Sequence, residues 1–273
     1  MVPDPNRQGG SQPFRQATCR STNGIRQYLR DRLDAHLGNA RRVLDIGAGE
    51  GYLARLVHGR IAGHGLSTVL EACDLFPENF RVPAMRCHGI DLHCGLPFPT
   101  ASVDLAYSVE VIEHLEDQFE FVREAHRVLR PGGRLIVTTP NVLSLTSRLR
   151  TLFVGFPELF GPLPLGSSDP QHVGGHIHPV SIYYLAYIAE KIGFRVAACH
   201  IDRVKSSAVA ALVLWPLIAF ATRYARAGMR RRSASTVAEN VAHLAAVNSF
   251  RVLTGRTITL ELVKQDTPLP LTR

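Results

Sequence analysis

The ten residues Val43 to Tyr52, VLDIGAGEGY, constrain this chain more than any other stretch. Val43, Leu44, Asp45 and Ile46 read as a buried strand, and Gly47, Gly49 and Gly51 let the backbone turn sharply and approach a ligand closely. Leu53, Leu56 and Val57 then fall at helical spacing, so the unit is strand, glycine turn, helix. The first N–H groups of such a helix have no intrahelical partner and point at whatever lies above the turn, which is the geometry of a nucleotide site. A dinucleotide fingerprint would need a third glycine where Tyr52 stands, so the close helix–sheet packing of dinucleotide binders is disfavoured.

Strand and helix patterns alternate downstream. A stripe of Ile25, Tyr28, Leu29, Leu33 and Leu37 predicts a helix from Gly24 to Leu37 beside the first strand. The second strand reads Ser67 to Cys73 and ends on Asp74, 25 residues after Gly49. An acid there can accept hydrogen bonds from both hydroxyls of a ribose; its plainer reading is a solvated turn residue. A third strand, Ala84 to Ile90, ends on Asp91, and a fourth runs from Val103 to Ser108. The helix Gln118 to Leu129 is stopped by Arg130-Pro131-Gly132-Gly133, and Arg134 to Thr139 forms the fifth strand. A helix over Ser181 to Ile192 stops at Gly193, Phe194 to Ile201 is the sixth strand, and Thr257 to Val263 the seventh. This alternation argues an α/β fold with a doubly wound sheet, whose ligands bind at the carboxyl ends of the strands.

Bulk composition narrows the partners. A chain of 273 residues suffices for one large α/β domain with additions. Five cysteines without a C-x-x-C suit reduced thiols in a cytoplasm, and the Cys87-His88 and His93-Cys94 pairs match no usual zinc spacing, so they read as small buried groups. The net charge of +8 is compatible with phosphate, nucleic acid or a lipid surface. Residues 1–20 are rich in Pro, Gly, Gln and Arg, so a disordered arm without a secretory signal is expected there, ahead of a single domain over residues 21–273.

The run D-x-G-x-G-x-G from Asp45 to Gly51 resembles motif I of class I S-adenosylmethionine (SAM) dependent methyltransferases. With the Asp74 turn, LPFPTASVDLAYSVEVIEHLED and HRVLRPGGRLIVTTPN, the likeness to that family's core extends over roughly residues 25–145. It implies a Rossmann-like sheet of seven strands, the last antiparallel, with helices on both faces and SAM as cofactor. The residues it points to are Asp45, Gly47, Ala48, Gly49 and Gly51 around the methionine moiety, Asp74 and Leu75 at the ribose, Asp91 and Leu92 near the adenine, and Ser108 at the end of the fourth strand. For Asp91 a capping or turn role is the alternative.

Beyond the fourth strand comes Glu110-Val111-Ile112-Glu113-His114. Two carboxylates and an imidazole so close can act as general bases, or bind a divalent metal that positions an acceptor hydroxyl and lowers its pKa. E-x-x-E-H here resembles the metal-binding run of plant small-RNA 2′-O-methyltransferases and of ubiquinone-pathway O-methyltransferases. That likeness implies Glu110, Glu113, His114 and a distal His176, or His178 in its place, as metal-ligating and catalytic residues. The run is equally similar to bacterial methyltransferases for which no metal need be assumed, where Glu113 and His114 cap and orient the next helix. Methyl transfer needs no strong base, because alignment of the nucleophile with the methyl carbon supplies much of the acceleration.

Two insertions depart from the core. Residues 141–180 are expected to form a long irregular lid over the acceptor. Residues 203–256 separate the sixth and seventh strands, where the family usually has a tight hairpin, and carry the apolar run Ala208 to Ala221 followed by Arg223, Arg226, Arg230, Arg231 and Arg232. Fourteen apolar residues make about 21 Å of helix, short of the roughly 30 Å hydrocarbon core, and Pro216 is expected to kink it. The run therefore suits a helix lying in the interface of an anionic membrane, or one buried against the lid or a second subunit. TTPN with NVLSLTSRLRTLFVG, GHIHP and the apolar insertion bear a looser likeness to bacterial methyltransferases of surface-polysaccharide and lipid-linked glycan synthesis, which implies a sugar or other hydroxyl on a glycan, lipid-linked or quinone-like small acceptor at the cytoplasmic membrane face. The expected function is SAM-dependent O-methylation by a cytoplasmic, peripherally membrane-associated enzyme. Its rivals are a metal-dependent RNA 2′-O-methyltransferase, although no RNA-binding module is recognisable, and a non-catalytic SAM-binding subunit.

Overall fold

The computed structural model describes residues 23–83, 85–90, 95–163, 165 and 175–266. The expected arm over residues 1–20 and the proposed adenine contacts Asp91 and Leu92 lie outside them. Seven strands form one sheet among the described residues: β1 (Arg42–Ile46), β2 (Val69–Asp74), β3 (Cys87–Gly89), β4 (Val103–Val109), β5 (Leu129–Pro140), β6 (Phe194–Ile201) and β7 (Thr257–Lys264). Their order is β3-β2-β1-β4-β5-β7-β6, and β7 runs antiparallel to both its neighbours, as expected. The strand order reverses between β1 and β4, and a crevice opens outside the carboxyl ends of the strands at such a point.

Side chains alternate between two cores because a strand has a period of two. On one face Val43, Leu105, Tyr107 and Ile136 pack against α1 (Asn23–Leu37) and α2 (Tyr52–Gly63) through Leu29, Leu33, Leu37, Val57 and Ile61. On the other, Leu44, Ile46, Ala106, Leu135 and Val137 pack against α3 (Gln118–Val128) and α5 (Ile182–Ile192). Between these two helices in the chain lies α4 (Leu145–Val154), capped by Ser144, whose hydroxyl accepts from the Ser147 N–H. The insertion between β5 and α5 is therefore not irregular throughout, as the sequence reading had it. A Ser N-cap and a left-handed Gly155 C-cap bound a regular helix inside it.

Two further expectations change. Arg130 to Gly133 does not separate α3 from β5. The strand begins at Leu129, paired with Val103, and the tetrapeptide is absorbed as an irregularity in which Gly132 has φ +73°. Lys264 secures the junction, donating to the carbonyls of His126 and Leu129 at 2.8 Å each. The apolar run also forms more helix than its composition suggested: α6 (Ser206–Ala210), a 3₁₀ turn (Ala211–Leu214) and α7 (Trp215–Arg232). These 27 residues are long and apolar enough, by length and composition, to cross a membrane. Pro216 does not kink α7, because it stands in the first turn, where no N–H is required, and the irregular step falls just before it. Then α8 (Ala234–Glu239), α9 (Val241–Ala246) and α10 (Phe250–Thr254) lead back to β7.

Candidate active site

The glycine turn closes over the end of β1. Gly47, Gly49 and Gly51 all take left-handed φ, +78°, +53° and +83°. A Cβ on Gly47 would lie 2.3 Å from Val111, and one on Gly51 would lie 2.6 Å from Phe80 and Val82, whereas a Cβ on Gly49 would meet nothing within 4 Å. Two glycines are thus enforced by neighbouring side chains, and the middle one presents bare backbone to open space. The N–H groups of Gly47 and Ala48 donate to the Cys73 carbonyl, fastening the turn to the end of β2. Asp74 takes the N–H of Gly49 on Oδ2 at 2.7 Å and that of Phe76 on Oδ1 at 2.9 Å. A carboxylate offers about four acceptor positions, so both oxygens retain capacity for hydroxyl donors. Leu75 is half-buried beside it.

Asp45 and Ser108 complete this half. Asp45 is 3% exposed with no hydrogen-bond partner on Oδ2, and burial pushes its carboxyl up to about 8. Ser108, next to Ile46 in the sheet register, is fully buried with its Oγ unpartnered. Orphaned buried polar atoms are costly unless a ligand serves them. A dipolar, cationic cofactor with two ribose hydroxyls matches this set of groups: the bare turn, the prepositioned acid and the two unpartnered oxygens of Asp45 and Ser108.

The second half is built at the exit from β4. Glu110 has φ +55°, rare for a residue with a Cβ, and its N–H donates to both the carbonyl and the hydroxyl of Thr138. This left-handed step sends the chain into a 3₁₀ turn (Ile112–His114) and puts Glu113 in the interior. Glu113 Oε2 accepts from Thr139 Oγ1 at 3.2 Å, while Oε1 has no partner. Burial, reinforced by the charge of Glu110, raises its carboxyl to about 8. The backbone carbonyl of Glu113 accepts from the N–H groups of Ile177 and His178, 3.0 Å each, and draws that distant segment alongside. His114 Nδ1 lies 2.8 Å from the Gly175 carbonyl, an arrangement that assigns the proton to Nδ1 and the imidazole lone pair to Nε2. His176 packs edge-on against His114, with ring centroids 4.8 Å apart, and against Phe160. Burial, with His114 beside it, lowers its pKa and favours the neutral ring.

Glu113, His114 and His176 therefore converge, with one ligand atom from each lying within 4.8 Å of the others. One carboxylate and two imidazoles suit a divalent transition metal that keeps open positions, and equally a base that holds a hydroxyl. Glu110 is separated from this trio: its carboxylate turns toward Thr257, 3.4 Å away, and its pKa is raised by burial against the opposing charge of Arg256. His178 is exposed, with Nδ1 held at the Leu115 carbonyl. Thr139, Phe160 and Gly175 were not singled out from the sequence, although Thr139 lies in the TTPN run that closes β5, Phe160 in the Gly/Pro/Phe/Leu-rich part of the insertion and Gly175 in the GGHIHPVS run. The two halves meet at Val111, whose side chain covers Gly47, so Glu113 and His114 follow two and three residues after the glycine turn's own contact.

A sheet order of this kind, with a glycine turn at its switch point and an acid at the end of β2, is that of a nucleotide-binding α/β class of protein. The methyltransferase-domain family model matches residues 20–198, and the chain belongs to that family. It is 39% identical over 112 residues to a probable S-adenosylmethionine-dependent methyltransferase of Mycolicibacterium smegmatis, covering 41% of this chain and 43% of the relative. It is 29% identical over 160 residues to a ubiquinone biosynthesis O-methyltransferase of Parvibaculum lavamentivorans, covering 52% of this chain and 60% of that one. In each case the chain spans less than two thirds of its relative. A solved SAM-dependent methyltransferase of Archaeoglobus fulgidus shares the fold, with a TM-score of 0.51 at 19% identity over 88% of this chain and 94% of that one.

Proposed function

We propose that this protein transfers a methyl group from SAM to an oxygen of a small, glycan or lipid-linked acceptor held near a membrane. Bound SAM supplies a methyl group on a sulfonium, which is already a good leaving group. Asp74 receives the ribose hydroxyls, the backbone of Gly47 to Gly51 admits the methionine end, and Asp45 and Ser108 offer it their unpartnered oxygens. At the acceptor side, Nε2 of His114 holds the hydroxyl proton while Nδ1 stays fixed on Gly175. Glu113 and His176 complete the wall; were a divalent cation used, they would hold it together with Nε2 of His114, which would then be a ligand instead of the proton acceptor, and the cation would lower the hydroxyl pKa. The observation that supports this reading is that Val111 lies over Gly47 and leads, two and three residues on, into Glu113 and His114 of the trio.

The test is transfer of labelled methyl from SAM into separated lipid and glycolipid, small-RNA and soluble fractions, with and without EDTA. Label in the lipid, glycolipid or soluble hydroxyl-bearing fraction supports the proposal. EDTA-sensitive label in RNA would favour the second reading, a metal-dependent RNA 2′-O-methyltransferase, for which the donor set of the trio argues. SAM binding with no transfer to any fraction would leave a SAM-binding subunit instead.

A further inference from the structure

Along α6, the 3₁₀ turn and α7, Val209, Val213, Leu217, Phe220 and Tyr224 are spaced four, four, three and four residues apart, which places them toward one side of the segment. All five are exposed, the last four by 65–80%. The opposite face is fastened to the protein along most of its length. Ala208 is buried with Leu145 and Leu253, and Leu212 and Ile218 pack against that cluster. Asn248 donates to Thr222 Oγ1, and the Arg226 guanidinium donates to the Leu244 carbonyl. The apolar stripe is thus held outward by a docked inner face, and it covers no other part of the described chain.

The same segment is strongly cationic. Arg223, Arg226, Arg230, Arg231 and Arg232 occupy it, and no acidic residue occurs from Ser206 to Ala238. Of these arginines only Arg226 is turned inward to a partner carbonyl; Arg223 and the last three are exposed. Trp215, the single tryptophan of the chain, stands 44% exposed at the start of α7. An apolar stripe flanked by arginines and an aromatic ring complements a surface with an apolar interior and anionic headgroups. A second copy of the chain complements it poorly, because a two-fold contact would set this acid-free patch against itself. Crossing the bilayer would break every contact from Ala208 to Arg226.

We propose that the outward face of α6 and α7 docks on an anionic lipid bilayer, lying parallel to it at the headgroup–acyl boundary. The segment also adjoins the site: Lys205, at the N-cap of α6, is bound to Glu158, and Leu159 and Phe160 next to it contact His176. Docking would therefore bring the wall of the acceptor site to the membrane surface.

The measurement needs neither SAM nor acceptor, so it stands apart from the methyl-transfer reading. Trp215 fluorescence of the intact chain is followed on adding phosphatidylcholine vesicles with and without phosphatidylglycerol, alongside flotation of the same mixtures. The expected result is a blue shift and co-flotation with the anionic vesicles only, weakened by salt. Binding should fall about a hundredfold in an Arg230/Arg231/Arg232→Ala variant, and a Leu217→Glu/Phe220→Glu variant should abolish it. These side chains are exposed, so both variants should keep the wild-type unfolding midpoint. No shift and no flotation with anionic vesicles would overturn the proposal. So would equal binding to neutral vesicles, or a dimer without lipid binding that Leu217→Glu/Phe220→Glu disperses.

Discussion

Gly47 and Gly49 are two residues apart and share a left-handed backbone, yet their surroundings differ: Val111 closes over one and open space lies over the other. Gly47→Ala should cost about 2–4 kcal/mol of stability, from strain plus overlap with Val111, and Gly49→Ala about 1 kcal/mol from backbone strain alone, as read by urea unfolding. Equal costs would mean that Val111 yields. Asp74→Ala should weaken SAM binding by about 1–3 kcal/mol in calorimetry, and an unchanged affinity would remove that acid from the site. Asp45 carries a pH signature. Its carboxyl titrates near 3.8 when unfolded and about 8 when buried, so between those values the folded chain holds a proton that the unfolded chain has released. Stability should therefore fall as pH rises from about 4 to about 8, by an amount on the order of 5 kcal/mol, and level off above. In Asp45→Asn this contribution should vanish, and an unaltered slope in urea unfolding at several pH values would contradict the assignment. These residues were legible because their signals are local: a strand pattern, glycines at fixed offsets and an acid at the end of the next strand.

At the scale of elements, the exit from β4 and the segment Gly175 to His178 act as a unit, joined by the Glu113 carbonyl and by the hydrogen bond from His114 to Gly175. The spacing E-x-x-E-H gathered Glu110, Glu113 and His114 into one cluster, but the left-handed φ of Glu110 turns its carboxylate to Thr257. Nothing in the local sequence announces that step, since the hydrogen bonds that hold it come from Thr138 on the neighbouring strand. His176 and His178 stood as alternatives for a similar reason. The paired N–H groups of Ile177 and His178 settle which ring meets His114. Titration with Co²⁺, followed by its visible absorption, should show binding by the wild-type protein that His176→Ala or Glu113→Gln weakens at least tenfold and Glu110→Gln leaves nearly unchanged. Equal loss in Glu110→Gln would restore the four-residue cluster, and no binding by the wild type would leave the trio as a base.

Across the whole molecule, Asn141 ties the core to its longest insertion. Its Nδ2 donates to the carbonyls of Val252 and Gly255, at 2.7 and 2.9 Å, and its Oδ1 accepts from the Leu143 N–H. Asn141→Ala leaves buried carbonyls unpaired and should cost about 2–4 kcal/mol, as measured by the shift of the unfolding midpoint. A cost below about 1 kcal/mol would show that residues 202–256 are attached chiefly through their apolar contacts. The alternation of strands and helices, the glycine turn and the acid beyond β2 follow from local sequence, because each depends on residues within one strand–turn–helix unit. Local sequence also marks residues 208–221 as apolar and the arginines after them as a cluster. The tertiary structure alone decided which histidine joins Glu113, where Glu110 points, how Leu129 enters the sheet and which face of α7 is left outward. Those outcomes depend on partners 26 to 147 residues away in the chain, from Thr139 against Glu113 to Thr257 against Glu110, and no local periodicity encodes such distances.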